Sequence, residues 1–123
     1  MPRGRPALIE SEPVPLADTE LVARLFRVLG DATRLRILGL LSEVGELHQM
    51  ELVRRLGVSQ SRISDHLACL GWCGFVVVSR IEGRRTYYRV SDERVPELVE
   101  RGRGFLEDNA AAISCCRIID RED

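Results

Sequence analysis

The stretch at residues 59–74, SQSRISDHLACLGWCG, decides how the rest of the chain is read. It predicts one short helix. Ser59 follows Gly57-Val58 and suits an N-cap, because its hydroxyl can accept an orphan N–H of the first turn. Ile63, Leu67 and Leu70 recur at i, i+4 and i+7 and form one apolar stripe. At about 100° per residue, Ser61, Ser64 and Asp65 point away from that stripe, with Arg62 on its flank. Short polar side chains on the outer face of an anchored helix suit a DNA major groove. Near its far end the same helix carries Cys69 and Cys73 at i, i+4, so both thiols project to one side. One helix thus offers a polar face for DNA in its first half and a soft-ligand pair in its second.

Working outward, residues 50–56 read as a helix broken by Gly57, so this segment and the Ser59 helix form a helix-turn-helix. Before it, an apolar pattern starts at Asp18 with Leu21, Val22, Leu25, Phe26, Val28 and Leu29 and stops at Gly30. Asp31 suits the cap of a second helix, whose Leu35, Ile37, Leu38, Leu40 and Leu41 supply a wide buried face before Gly45. After it, residues 75–81 and 84–90 are β-prone, with Glu82-Gly83 as a hairpin turn. That hairpin carries Arg80, Arg84, Arg85 and Arg89 and reads as a basic wing, with one of Tyr87 and Tyr88 turned inward by strand alternation. A last helix starts near Ser91 or Asp92 with Val95, Leu98, Val99, Phe105 and Leu106 on its apolar side, weakened by Gly102 and Gly104. The expected fold class is mainly α with a small β-hairpin, a winged helix-turn-helix. Residues 18–112 would make the domain, residues 1–17 a disordered arm and residues 113–123 a C-terminal tail.

Bulk properties agree. A chain of 123 residues, 45% hydrophobic and 30% charged, supports a single modest core. No apolar run approaches the roughly 18 residues of a membrane span and no signal-peptide pattern opens the sequence, which predicts a soluble cytoplasmic protein with no membrane partner. The net charge of −1 conceals a positive segment: between Arg54 and Arg89, seven arginines face only Asp65 and Glu82. Such a segment is the electrostatic footprint of a polyanion site. All basic residues are arginine, which suits phosphate and guanine contacts, although genome composition produces the same bias. In the arm, Pro2-Arg3-Gly4-Arg5-Pro6 is similar to the core of an AT-hook, which would lay Arg3 and Arg5 in a minor groove. A plain disordered tail has the same composition. An enzyme is not indicated, since there is no phosphate-cradling glycine loop and two histidines assemble no nucleophile constellation. His48 reads as a surface or helix-start residue and Met50 as core.

Four cysteines in a cytosolic chain point to metal or redox chemistry rather than to structural disulfides. Any one of them can be a small buried hydrophobe. An i, i+4 pair together with the vicinal Cys115-Cys116 is less easily read that way. Thiolate clusters select soft ions. A redox switch is the alternative. The i, i+4 pair is poorly placed for an internal disulfide, since a helix holds its Cβ atoms about 5–6 Å apart, whereas a bridge between Cys69 and Cys116 stays open.

The order helix, helix, helix-turn-helix, wing, helix resembles the ArsR/SmtB family of dimeric winged-helix repressors. Asp31-Ala32-Thr33-Arg34-Leu35-Arg36-Ile37-Leu38 resembles that family's Asp-Pro-Thr-Arg-Leu-x-Ile-Leu signature, with Ala32 in place of proline. Ser59-Gln60 through Ser64-Asp65-His66-Leu67 resembles its Ser-Gln-x-x-x-Ser-x-His-Leu recognition helix. The resemblance spans about residues 18–109. It implies a homodimer built by the terminal helices and a two-fold-symmetric double-stranded operator. It also implies groove contacts from Gln60, Ser61, Arg62, Ser64 and His66, with Arg84 and Arg85 on phosphates.

The family places metal sites in several spots. A Cys-x-Cys after Glu-Leu is missing, because Glu46-Leu47 is followed by His48-Gln49-Met50-Glu51, and no histidine after His66 exists for a zinc site on the last helix. Leu67-Ala68-Cys69-Leu70-Gly71-Trp72-Cys73-Gly74 resembles the His-Leu-x-Cys-Leu-x-x-Cys-Gly segment of the cadmium/lead-sensing CmtR type. That resemblance implies a soft-ion inducer held by Cys69, Cys73 and a C-terminal cysteine, Cys115 or Cys116 or both. Mercury and arsenite sensors of the family resemble this pattern too, so cadmium, lead, mercury and arsenite all stay open as inducers.

Overall fold

Caps and glycines set the helix boundaries. The computed structural model describes residues 17–121; Arg3 and Arg5, and with them the AT-hook-like arm, lie outside the described residues. Helix α1 (Asp18–Leu29) starts where the Glu20 carboxylate accepts the Ala17 N–H at 3.1 Å. Helix α2 (Ala32–Val44) is capped by Asp31, whose Oδ1 accepts the Arg34 N–H at 3.0 Å. A two-residue strand β1 (Leu47–His48) leads directly into α3 (Gln49–Leu56). Gly57 ends α3 in the left-handed region at φ 67°, where a Cβ would be strained, and donates its N–H to Val53 O. Two residues later Ser59 caps α4 (Gln60–Trp72), its Oγ accepting the Arg62 N–H at 3.3 Å.

The wing is β2 (Val76–Glu82) and β3 (Arg85–Val90), antiparallel, with β1 on the outer side of β3, so the sheet order is β1-β3-β2. The turn is Gly83-Arg84, one residue beyond the expected Glu82-Gly83. Between Val78 and Arg80 the register slips, since Val78 faces Tyr88 and Arg80 faces Tyr87. Ser79 is thus the extra residue of a bulge, which turns it and Arg80 toward Glu46. Ser79 Oγ and Arg80 Nε donate to the two Glu46 oxygens, each at 2.6 Å, fastening the wing to the strand before the helix-turn-helix.

The core gathers where α2, α3, α4 and the base of the wing meet. Ile37, Leu38 and Leu41 of α2 pack with Leu47, Leu52, Phe75 and Val76 and with the full stripe Ile63, Leu67 and Leu70 of α4. The stripe read from sequence is therefore buried throughout. Leu35 and Leu40 are only partly buried and flank this core rather than lying within it.

Some expectations need correction. Met50 is 40% exposed rather than core. His48, read as a surface or helix-start residue, does hold the N-cap of α3, but it is buried there, paired with Tyr87 in the sheet and edge-on to its ring. Helix α5 (Arg94–Ser114) runs 21 residues through Gly102 and Gly104, and α6 (Arg117–Arg121) adds a turn where only a charged tail was expected. The apolar sides of α1 and α5 are largely uncovered: Phe26 is 53% and Phe105 66% exposed, with Leu21, Val22, Leu106 and Ile113 also open. Uncovered apolar faces on both terminal helices are the physical signature of surfaces made to be covered. Among the described residues no helix is long and apolar enough to cross a membrane.

Candidate nucleic-acid interface and thiol cleft

With Ile63, Leu67 and Leu70 pinned in the core, helical geometry forces the opposite side of α4 outward. Gln60, Ser61, Arg62, Ser64 and Asp65 are all exposed there. His66 departs from the expected groove-facing set. It is half-buried, with Nε2 3.9 Å from Asp31 Oδ1, so it faces the start of α2 and supports the helix. Asp31 is held below the usual carboxylate range, first by the Arg34 amide that it caps, and also by the nearby His66 and Arg34 charges, with burial opposing.

On the wing, Arg84 and Arg85 are exposed at the tip and reach into solvent. Arg80 does not join them. Its guanidinium spans Glu46 and Glu82 at 2.6 Å each and lies 3.8 Å over the Tyr87 ring, which keeps it committed to the wing's own architecture. Glu46 is correspondingly held below its ordinary range by the Ser79 hydroxyl and then by Arg80. Arg84 and Arg85 thus leave uncommitted positive charge at the wing's tip, and Arg89, exposed opposite Val77, adds another at its base.

The second half of α4 lines a different feature. Gly74, at φ 88°, turns the chain out of the helix immediately after Cys73, and Phe75 folds back to donate its N–H to Leu70 O at 2.8 Å. This places Cys69 and Cys73 on the wall of a cleft of about 580 Å³, opposite α1, with Leu21, Arg24, Leu25, Arg27, Val28, Arg34 and Phe75. Burial pushes the Cys73 thiol up, its neighbour Cys69 pushes it further, and the charges of Arg24 and Arg34 pull against both. Arg34 Nη1 lies 3.5 Å from Cys69 Sγ while its Nε donates to Val28 O at 2.8 Å. Sequence reasoning assigned no site role to Arg34 or Arg24. Arg34 stood inside a quoted motif, but nothing local signals a contact 35 residues away.

Cys115 and Cys116 follow the end of α5, exposed and half-buried respectively. They are not brought to Cys69 and Cys73: among the described residues, no group of three or more His, Cys, Asp or Glu is arranged to hold a metal ion. The donor chemistry of the cleft nonetheless fits a soft ion, since two neighbouring thiols supply sulfur and, among the described residues, no carboxylate lines the wall.

Comparison with known proteins agrees with this architecture. The chain is 43% identical over 109 residues to a probable mercury resistance operon repressor of Streptomyces lividans, covering 89% of this chain and 86% of that protein. It is 42% identical over 74 residues to the HTH-type transcriptional regulator CmtR of Mycobacterium tuberculosis, covering 60% and 61% of the two chains. The homodimeric winged helix-turn-helix DNA-binding domain Mb0332 of Mycobacterium bovis, solved in solution, superposes with a TM-score of 0.63 at 29% identity, covering 79% and 92%. Residues 31–78, from the Asp31 cap through the recognition helix into the wing, match the family described as bacterial regulatory protein, arsR family. With its helix-turn-helix, its wing and a relative of this identity along most of its length, the chain belongs to the arsR family of bacterial regulatory proteins.

Proposed function

We propose that the protein is a metal-responsive transcriptional repressor whose ion-free homodimer binds operator DNA and leaves it when a thiophilic ion binds. The observation that carries this reading is the division of α4: its exposed N-terminal half faces outward for DNA, and its C-terminal half presents Cys69 and Cys73 to a cleft. A relative named for mercury resistance and another named CmtR support the metal class. Gln60, Ser61, Arg62 and Ser64 read the groove, and Arg84 and Arg85 hold phosphates. The open apolar faces of α1 and α5 pair with those of a second copy, giving a two-fold assembly for a two-fold operator.

Cys69 and Cys73 would hold the ion, with Cys115, Cys116 or both completing the set from the second protomer, since within one protomer the pairs lie apart. The bound ion supplies a sulfur-linked tie between elements that are otherwise separate. Tying α4 to a C-terminal segment restrains the helix that reads DNA. A differential affinity of about 3 kcal/mol between the two arrangements lowers operator affinity roughly a hundredfold.

The test pairs thiolate-to-metal absorption with operator binding. Cys69→Ser and Cys73→Ser should retain operator binding, lose the absorption band on adding Cd2+ or Hg2+, and lose release. Replacing Cys115 and Cys116 singly identifies the completing donor. If the Cys69→Ser/Cys73→Ser protein still leaves its operator on adding the ion, the sensing site is elsewhere.

A further inference from the structure

The thiol cleft is cationic. Arg24, Arg27 and Arg34 line it, among the described residues no carboxylate does, and the Arg34 guanidinium approaches Cys69 Sγ to 3.5 Å. The Arg34 contact is built in: the side chain is half-buried, and its Nε is anchored on Val28 O at 2.8 Å, so the fork is aimed at the sulfur. A thiol pair needs no such neighbour in order to bind an ion, and neither the caps nor the core use the Nη1 donor.

We propose that Arg34, assisted by Arg24, sets the selectivity of the cleft in favour of divalent soft ions over trivalent metalloids. The inference rests on the reading of Cys69 and Cys73 as ion-binding thiols. Its basis is charge. A divalent ion that binds three thiols forms three metal–sulfur bonds, releases three protons and leaves a complex of net charge −1. Arsenous acid condensing with three thiols exchanges three As–O for three As–S bonds, releases three waters and leaves a neutral complex. For any common set of thiolates the divalent complex carries one more negative charge. A guanidinium at hydrogen-bond distance from a ligating sulfur stabilises that extra charge, and more strongly where the group is partly withdrawn from water. The neutral metalloid complex gains no comparable term, so the arginines discriminate by charge where the sulfurs alone do not.

The experiment measures Cd2+ and arsenite affinities of the full-length reduced protein by absorption with competing thiol chelators. Wild type is compared with Arg34→Gln, Arg34→Lys and Arg24→Gln. Arg34→Gln should lower the ratio of Cd2+ to arsenite affinity about tenfold, equivalent to about 1.4 kcal/mol. Arg34→Lys should keep most of the preference through its charge, and Arg24→Gln should shift the ratio the same way by less. A metal-free readout accompanies these: the rate of Cys69 alkylation by anionic iodoacetate relative to neutral iodoacetamide should fall in Arg34→Gln. If Arg34→Gln binds both ions with the wild-type ratio, this inference is overturned while the thiol site stands. If wild type binds neither ion, the functional reading falls and takes the inference with it. Should Arg34→Gln lose its helical circular dichroism, the Arg24→Gln ratio decides, and an unchanged ratio there overturns the proposal.

Discussion

Replacing Asp31 by alanine probes a joint between α2 and α4. The Asp31 carboxylate caps α2 through the Arg34 N–H at 3.0 Å and stands 3.9 Å from His66 Nε2 on the recognition helix. Loss of an N-cap of this type costs about 1 kcal/mol. The His66 contact lies at the distance limit and the carboxylate is about one third exposed, so it adds at most about 0.5 kcal/mol. For a domain of this size a loss of about 1–1.5 kcal/mol lowers Tm by roughly 4–10 °C. Because the folded carboxyl is held below its ordinary 3.8, its contribution is present above that value and is lost as pH falls through the lowered one. The gap between wild type and Asp31→Ala should therefore be full at pH 7 and narrow as pH falls below about 3.8, where the charge is lost and a neutral acceptor remains. Urea unfolding followed by circular dichroism at several pH values measures this directly. Asp31→Asn, which keeps an acceptor for the Arg34 amide, should recover most of the loss at pH 7. A gap that is negligible at pH 7, or one that persists unchanged in acid, would refute the reasoning.

Two further substitutions test the reading surface and its support. Arg84→Ala removes a free charge at the wing tip and should weaken specific and non-specific DNA binding alike while reducing the salt slope by about one; an unchanged slope means that Arg84 touches no phosphate. Gly57→Ala places a Cβ at φ 67°, which should cost about 1–2 kcal/mol in chemical unfolding without altering the groove-facing residues; a neutral result would mean that the turn between α3 and α4 relaxes.

Much of this architecture follows from local rules. The caps Asp31 and Ser59, the stop at Gly57 and the stripe Ile63-Leu67-Leu70 are properties of short segments, and each falls where periodicity and capping chemistry put it. The i, i+4 spacing of Cys69 and Cys73 likewise guarantees a shared side of one helix, whatever surrounds it. What surrounds it was decided by packing. Helical phase leaves His66 next to the apolar stripe, and only the position of Asp31 across the α2–α4 contact turns it inward. Met50 is exposed and His48 buried because His48 lies in β1, a strand of only two residues without a readable alternation, whose pairing with β3 sets it against Tyr87. Arg80 looked like a free wing cation until a bulge, which no residue pattern announces, aimed it at Glu46. Arg34 meets Cys69 across 35 residues because α2 docks beside α4. Periodicity specifies which face of an element is apolar, since that depends on neighbours a few bonds away. Which polar group stands opposite depends on how distant elements dock, and that is settled only when the core closes.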